Sequence, residues 1–182
     1  MCNTIPTVVQ NSHELYLVQK YYDTQTAKRS GVPLINHIHE GISVMDYLGA
    51  SINAMKAYAL HPLLQTDESL LENYENLLYD EQVDPICVVL CVEYRNIANQ
   101  YLSRRKIGSL DDIKLSPLPD VNDMLRGDKA QNYKDFLIYH KGTHERSTEL
   151  DLYFKNWITK LECWKAFYEL MPIQYHGKVH EK

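Results

Sequence analysis

The segment KRSGVPLINHIHEG, residues 28 to 41, brings Lys28 and Arg29, a Gly and a Pro, and His37 and His39 into one short stretch. Burying a core requires no such combination. Ammonium and guanidinium groups hold phosphate oxygens, and imidazole binds divalent metals or carries protons near neutral pH. Two further segments carry residues of the same kind. In YALHPLLQTDE, His61 ends an apolar run, and in VNDMLRGDKAQN, Asp123, Asp128 and Lys129 fall on an amphipathic helical pattern. Taken singly, each has an ordinary explanation. Lys28 and Arg29 suit a helix C-terminus, where the dipole favours cations. Asp128 after Gly127 suits an N-cap, and a lone histidine at a helix end is commonly solvated or hydrogen-bonded. Composition and spacing alone therefore reach a soluble helical domain.

Such residues need a scaffold, and the periodicity that supplies it is helical nearly throughout. A first helix is expected over 13 to 28, capped by Ser12, with Leu15, Leu17, Val18, Tyr21 and Tyr22 inward and Gly31 and Pro33 as its stop. Further helices are expected over 36 to 48, 51 to 61, 68 to 79, 84 to 106, 121 to 141 and 146 to 170. The helix over 68 to 79 is acidic on one side. The one over 84 to 106 opens on Asp84 and Pro85 and closes on SRRK, and its middle is apolar on more than one side, as in a central, buried helix. Residues 107 to 120 read as a connecting loop. In the last segment Leu150, Phe154, Trp157, Leu161, Trp164 and Tyr168 form one helical face. No segment alternates with period two. The fold class expected is all-α, one domain over 1–182 of about six to eight helices, its motif-bearing core about 13–141 and its C-terminal helix about 146–170.

A chain of 182 residues with 45% hydrophobic and 24% charged content can bury one ordinary core. The formal charge of −5 argues against general nucleic-acid binding. No apolar run reaches membrane-spanning length and no signal peptide opens the chain, so a cytoplasmic setting is expected. Cys2, Cys87, Cys91 and Cys163 form no Cys-x-x-Cys pair, and Cys87 and Cys91 read as buried free thiols of a reducing compartment. The 14 tyrosines are expected half-buried with wet hydroxyls.

In their order and flanks, the three segments resemble the HD phosphohydrolase superfamily, above all the hydrolase domain of the bacterial alarmone enzymes (RelA/SpoT) and its small stand-alone relatives. There a basic pair, a Ser-Gly turn and a Pro precede the first metal-binding histidine, as in KRSGVPLINH, which implies His37 rather than His39. An apolar helix ending in His-Asp corresponds to YALHP, with His61. A late Ala-Asp-Lys/Arg-x-x-Asn corresponds to GDKAQN, with Asp128 as the last ligand and Asn132 beside it. The resemblance spans roughly residues 15 to 140. It implies His37, His61 and Asp128 as ligands of a divalent Mn, Fe, Co or Zn that activates water for attack on phosphorus. It also implies Lys28, Arg29 and Asn132 as ligand-binding residues facing a nucleotide or another phosphorylated small molecule, a set to which Arg95 is added from its own place as a polar residue in an apolar helix.

The chain departs from that family at one turn. Pro62 stands where the namesake Asp is expected, and Gln65 and Thr66 stand where an acidic pair is expected. A primary amide is no general base, so Gln65 is left to position water or substrate by hydrogen bonding. Pro62 donates no N–H and disfavours helix at His61, so the third helix should end or kink there. Two outcomes follow. Either His39, Glu40 or Asp67 substitutes for the missing acids and a metal stays, or the metal is absent and a phosphate-binding pocket survives. A third reading is a catalytically inactive scaffold that binds a protein partner or a second copy of itself. The small size and the His-Pro motif are also similar to HD-like proteins encoded by bacteriophages.

Three weaker features complete the reading. YHKGTHERS places His140 and His144 in a polar linker that is either solvated or laid over the pocket mouth. Arg95 and Asn99 interrupt an apolar helix, and a buried Arg95 would need a carboxylate such as Asp128 or a place in the pocket. VHEK at the C-terminus reads as a frayed tail.

Overall fold

The computed structural model describes residues 5–28, 30–103 and 107–180, with the backbone alone at 99–103, 178 and 180. No strand occurs among them, and the fold is all-α around one hydrophobic core. Helices α1 (Thr7–Gln10) and α2 (His13–Tyr22) are followed by α3 (Ile35–Tyr47) and α4 (Ile52–Leu60). A 3-10 turn, His61–Leu63, leads into α5 (Asp67–Tyr79) and α6 (Pro85–Ser103). Then come a 3-10 turn at Leu110–Asp112, α7 (Pro119–Asp135), and a π-turn at Phe136–His140. Helices α8 (Ser147–Lys160), α9 (Trp164–Leu170) and α10 (Gly177–His180) close the order, with a 3-10 turn at Ile173–Tyr175.

Local chemistry sets the helix starts. Ser12 Oγ accepts from Leu15 N, Ser51 Oγ accepts from Ala54 N, and Thr66 and Ser69 cap each other. Asp84 accepts from Ile86 N, and Pro85 follows it at the first helical position. The caps expected at Ser12 and Asp84 hold.

At the centre α3 lies against α7, their most extensive packing, and α4 fills the space between α2, α3 and α6. Two glycines permit the close approaches around α3. A Cβ on Gly127 of α7 would stand 2.9 Å from the Gly41 carbonyl of α3, and a Cβ on Gly41 would collide with the Tyr58 hydroxyl of α4.

Several expectations are corrected. The first helix ends at Tyr22, not 28, because Asp23 takes a left-handed φ of 44°. The chain then folds back through a Thr26–Pro33 bridge, with Ala27 N donating to Val32 O, and a turn around Gly31 at φ 71°. The C-terminal helix is two helices, broken where Glu162 takes φ 55°. Helix α6 is not enclosed, since Val89 is 55% exposed and Ile86 and Val92 also face outward. Tyr58, Tyr94 and Tyr133 are fully rather than half-buried. Residues 177 to 180 are helical with Val179 buried, so the tail is not frayed over that stretch. Of SRRK, residues 104–106 lie outside the described residues. Cys87 and Cys91 are buried free thiols, as expected, and Cys163 is one as well.

Candidate metal centre

Three separate elements deliver one side chain each to a common point. His37 comes from the first turn of α3, His61 from the 3-10 turn, and Asp128 from the middle of α7. Pro62 ends α4 at Leu60 as expected, while His61 itself keeps helical angles, φ −54° and ψ −33°. Asp128 lies mid-helix and so is no N-cap. One nitrogen of each imidazole and one Asp128 oxygen all lie within 4.8 Å of one another. A tetrahedral ion holds its ligand atoms roughly 3.3 Å apart. The His37 Nε2–Asp128 Oδ1 distance of 3.6 Å is already close to that.

Hydrogen-bond partners fix which ring nitrogens carry lone pairs. His61 Nδ1 lies 2.5 Å from the Tyr58 carbonyl, which can only accept, so Nδ1 holds the proton and Nε2 is bare. Gln131 Nε2 donates to the Glu40 and Asp135 carboxylates at 3.2 and 2.7 Å, which turns its Oε1 to His37. His37 Nδ1, 2.6 Å from that oxygen, is therefore also the donor, and its Nε2 faces Asp128. Metal-binding histidines are held in this way by their second nitrogen. The Tyr58 hydroxyl has two acceptors in reach, His37 Nε2 at 3.1 Å and His37 O at 3.3 Å. Turning to the carbonyl leaves the nitrogen to a cation.

The electrostatics keep His61 neutral and Asp128 ionised, while Lys129 balances the carboxylate charge. Burial, helped by the neighbouring His37, pushes the His61 imidazole down to about 4, so it is neutral at pH 7. Burial works to raise Asp128, but the Lys129 ammonium and the two imidazoles outweigh it and hold the carboxyl at about 2. Lys129 Nζ bonds Asp128 Oδ2 at 2.8 Å and lies 5.2 Å from the centre of the Trp157 ring and 5.8 Å from that of Tyr153. Burial alone would lower the Lys129 ammonium, and the carboxylate raises it instead. Asn132 Nδ2 donates to the other oxygen, Oδ1, at 2.7 Å. The charge of Asp128 is thus matched before any ion arrives.

A cleft of about 460 Å³ opens onto this point. Ala27, Ser30, His37, Gln65, Asp128, Gln131, Asn132 and Asp135 line it, with His140 and His144 of the α7–α8 linker. Tyr22, Leu34, Phe136, Leu150 and Phe154 supply its apolar surface.

Of the residues expected from sequence, His37, His61 and Asp128 converge, and Gln65 and Asn132 line the cleft. Asn132 spends its amide on Asp128, so it positions the carboxylate. Lys28 is exposed in the turn whose Ala27 and Ser30 line the cleft. Arg29 and the Asn99 side chain lie outside the described residues. Arg95 takes the carboxylate alternative, with Asp67 in place of Asp128, and it is absent from the cleft lining. None of the substitute acids joins the cluster. Asp67 is on Arg95, Glu40 is held by Lys134 Nζ at 2.6 Å, and His39 lies with Glu40 and Asn36 in a separate hollow. Asp123 pairs with Arg126.

Tyr58, Tyr94 and Gln131 were not expected at the site. Burial, then the nearby Asp128 charge, raises both tyrosine hydroxyls far above their ordinary range, so they remain protonated. The signal for Gln131 was present: Asp128, Gln131, Asn132 and Asp135 recur at the spacing of a core stripe, yet all are polar.

Comparison with protein-family models, with curated proteins and with solved structures finds no match. Two imidazoles and a carboxylate form a donor set that fits borderline divalent ions such as Zn, Fe, Co or Mn. Among the described residues no helix is long and apolar enough to cross a membrane.

Proposed function

We propose that the cleft is a metal-dependent phosphohydrolase site of the HD type that engages a nucleotide or another phosphorylated small molecule in a reducing cytoplasm. The observation that carries this is the convergence of His37, His61 and Asp128 within 4.8 Å, with both imidazoles held by other partners so that their Nε2 atoms are bare. A divalent ion at that point supplies Lewis acidity toward a phosphoryl oxygen and toward water. Asn132 and Lys129 hold the carboxylate, Gln131 holds His37, and the Tyr58 carbonyl holds His61. Gln65 orients water or substrate from the cleft wall. Lys28, with His140 and His144, gives the mouth a cationic or polarisable rim for phosphate. The absence of acids at positions 62, 65 and 66 reduces repulsion toward that anion.

Elemental analysis of freshly purified protein, with titration by Mn, Co and Zn, tests the reading. One ion per chain is expected, with phosphate release from a nucleotide panel that His61→Ala abolishes. Protein that takes up none of these ions and releases no phosphate refutes it.

A second reading, a metal-free pocket that binds a phosphorylated compound without hydrolysis, is favoured by one observation. Lys129 already neutralises the lone carboxylate, leaving no net negative charge to attract a dication. It predicts nucleotide-induced thermal stabilisation that persists in chelator.

A further inference from the structure

Helix α5 is turned outward in an unusual way. Among its thirteen residues only Ser69 and Leu77 are buried. Leu71 is 85% exposed, Leu78 53% and Tyr74 41%, and these recur at i, i+3 and i+7, one face of the helix. Tyr79, at the C-terminal end, is 78% exposed. Water-facing leucines in line are the mark of an interaction surface. The helix is nonetheless firmly mounted. Thr66 and Ser69 cap its start reciprocally, Asn73 Nδ2 donates to Leu63 O at 3.3 Å, and Asp67 pairs with Arg95.

Charge names the occupant. Residues 67 to 84 contain Asp67, Glu68, Glu72, Glu75, Asp80, Glu81 and Asp84 and no Lys or Arg, a formal charge of −7 in a chain whose total is −5. Glu68, Glu72 and Glu75 are exposed along the same helix as the leucines. Nucleic acid and anionic membrane surfaces are repelled by such a segment. So is a second copy of the chain pairing face to face, because it would set −7 against −7. We propose that the outer face of α5 docks a positively charged amphipathic helix of a partner protein, its apolar stripe on Leu71, Tyr74 and Leu78 and its Lys or Arg residues against Glu72 and Glu75. The surface owes nothing to the metal-site reading.

The test uses the full chain and a fluorescein-labelled synthetic Leu/Lys amphipathic helix, with a Leu/Glu helix as its control, read by anisotropy. Binding of the Leu/Lys helix in roughly the micromolar range is expected, with none of the Leu/Glu helix. Leu71→Ser with Leu78→Ser should weaken it about tenfold or more. Glu72→Lys with Glu75→Lys should transfer binding to the Leu/Glu helix. Melting and Mn titration of both variants should match the parent chain, since the changed side chains are exposed. The proposal is overturned if the Leu/Lys helix does not bind, or if it binds the double Leu→Ser chain equally well. It is overturned in favour of self-association if sedimentation shows a dimer that Leu71→Ser with Leu78→Ser dissolves.

Discussion

His61 shows how a single side chain ties stability to the site. Its ring is buried against the Tyr58 carbonyl and held neutral, down at about 4 against an ordinary value near 6.5. The unfolded chain therefore binds one more proton than the folded one between those values. The stabilisation is complete above pH 6.5 and is lost as the pH falls toward 4, by about 3 kcal/mol at most. Urea melts from pH 7.5 to 4.5 should show that decline, and His61→Leu should flatten it. Lys129 works in the opposite sense. In Lys129→Met the Asp128 carboxylate stays buried without its cation, at an expected cost of about 3–5 kcal/mol. The site then carries a net negative charge, so added Mn or Co should recover more stability in Lys129→Met than in the parent chain, measured by thermal melting. The choice of His37 over His39 came from the resemblance of KRSGVPLINH to the HD pattern; side chains two apart on a helix face different sides, and His39 lies in a separate hollow. The role of Tyr58 was not legible in the sequence, since a tyrosine in an apolar helix looks like ordinary packing, whereas Gln131 stood in a polar stripe at core spacing.

Among the elements, the packing of α3 against α4 and α7 decides the geometry. Gly41 costs its helix about 1 kcal/mol of propensity relative to alanine. It stays because a methyl group there would strike the Tyr58 hydroxyl, which faces His37. Gly41→Ala should therefore destabilise by about 1–3 kcal/mol through overpacking, despite the better helix former. It should also weaken metal uptake, which calorimetric titration measures. The existence of the main helices was readable from apolar period and from the caps at Ser12 and Asp84. The ends at Asp23 and Glu162 were not, because both take left-handed backbone angles without being glycine. The exposed side of α6 was misread for a related reason: Ile86, Val89 and Val92 add apolar residues that nothing in the sequence distinguishes from core.

Taken as one molecule, the chain has a single core beneath an uneven charge surface, −7 over residues 67 to 84 and therefore +2 over the remainder. One core should give one cooperative melting transition. A bound ion at about a hundred times its Kd should raise the stability by about 2.7 kcal/mol, and Asp128→Asn should abolish that rise. The all-α class and the single domain were legible because helical period ran through the whole chain. The acidic side of α5 was legible too, but not its apolar face, which only tertiary packing could leave bare. The buried cysteines carry a practical consequence. Cys91 Sγ contacts the Ala57 carbonyl at 3.0 Å, and burial pushes the Cys87 and Cys163 thiols up to about 12. Protonated and shielded from reagent, all three should resist maleimide in the native chain and react on opening. In a Cys2→Ser background, pulse alkylation followed by mass spectrometry would time the exposure of α6 separately from that of the α8–α9 corner.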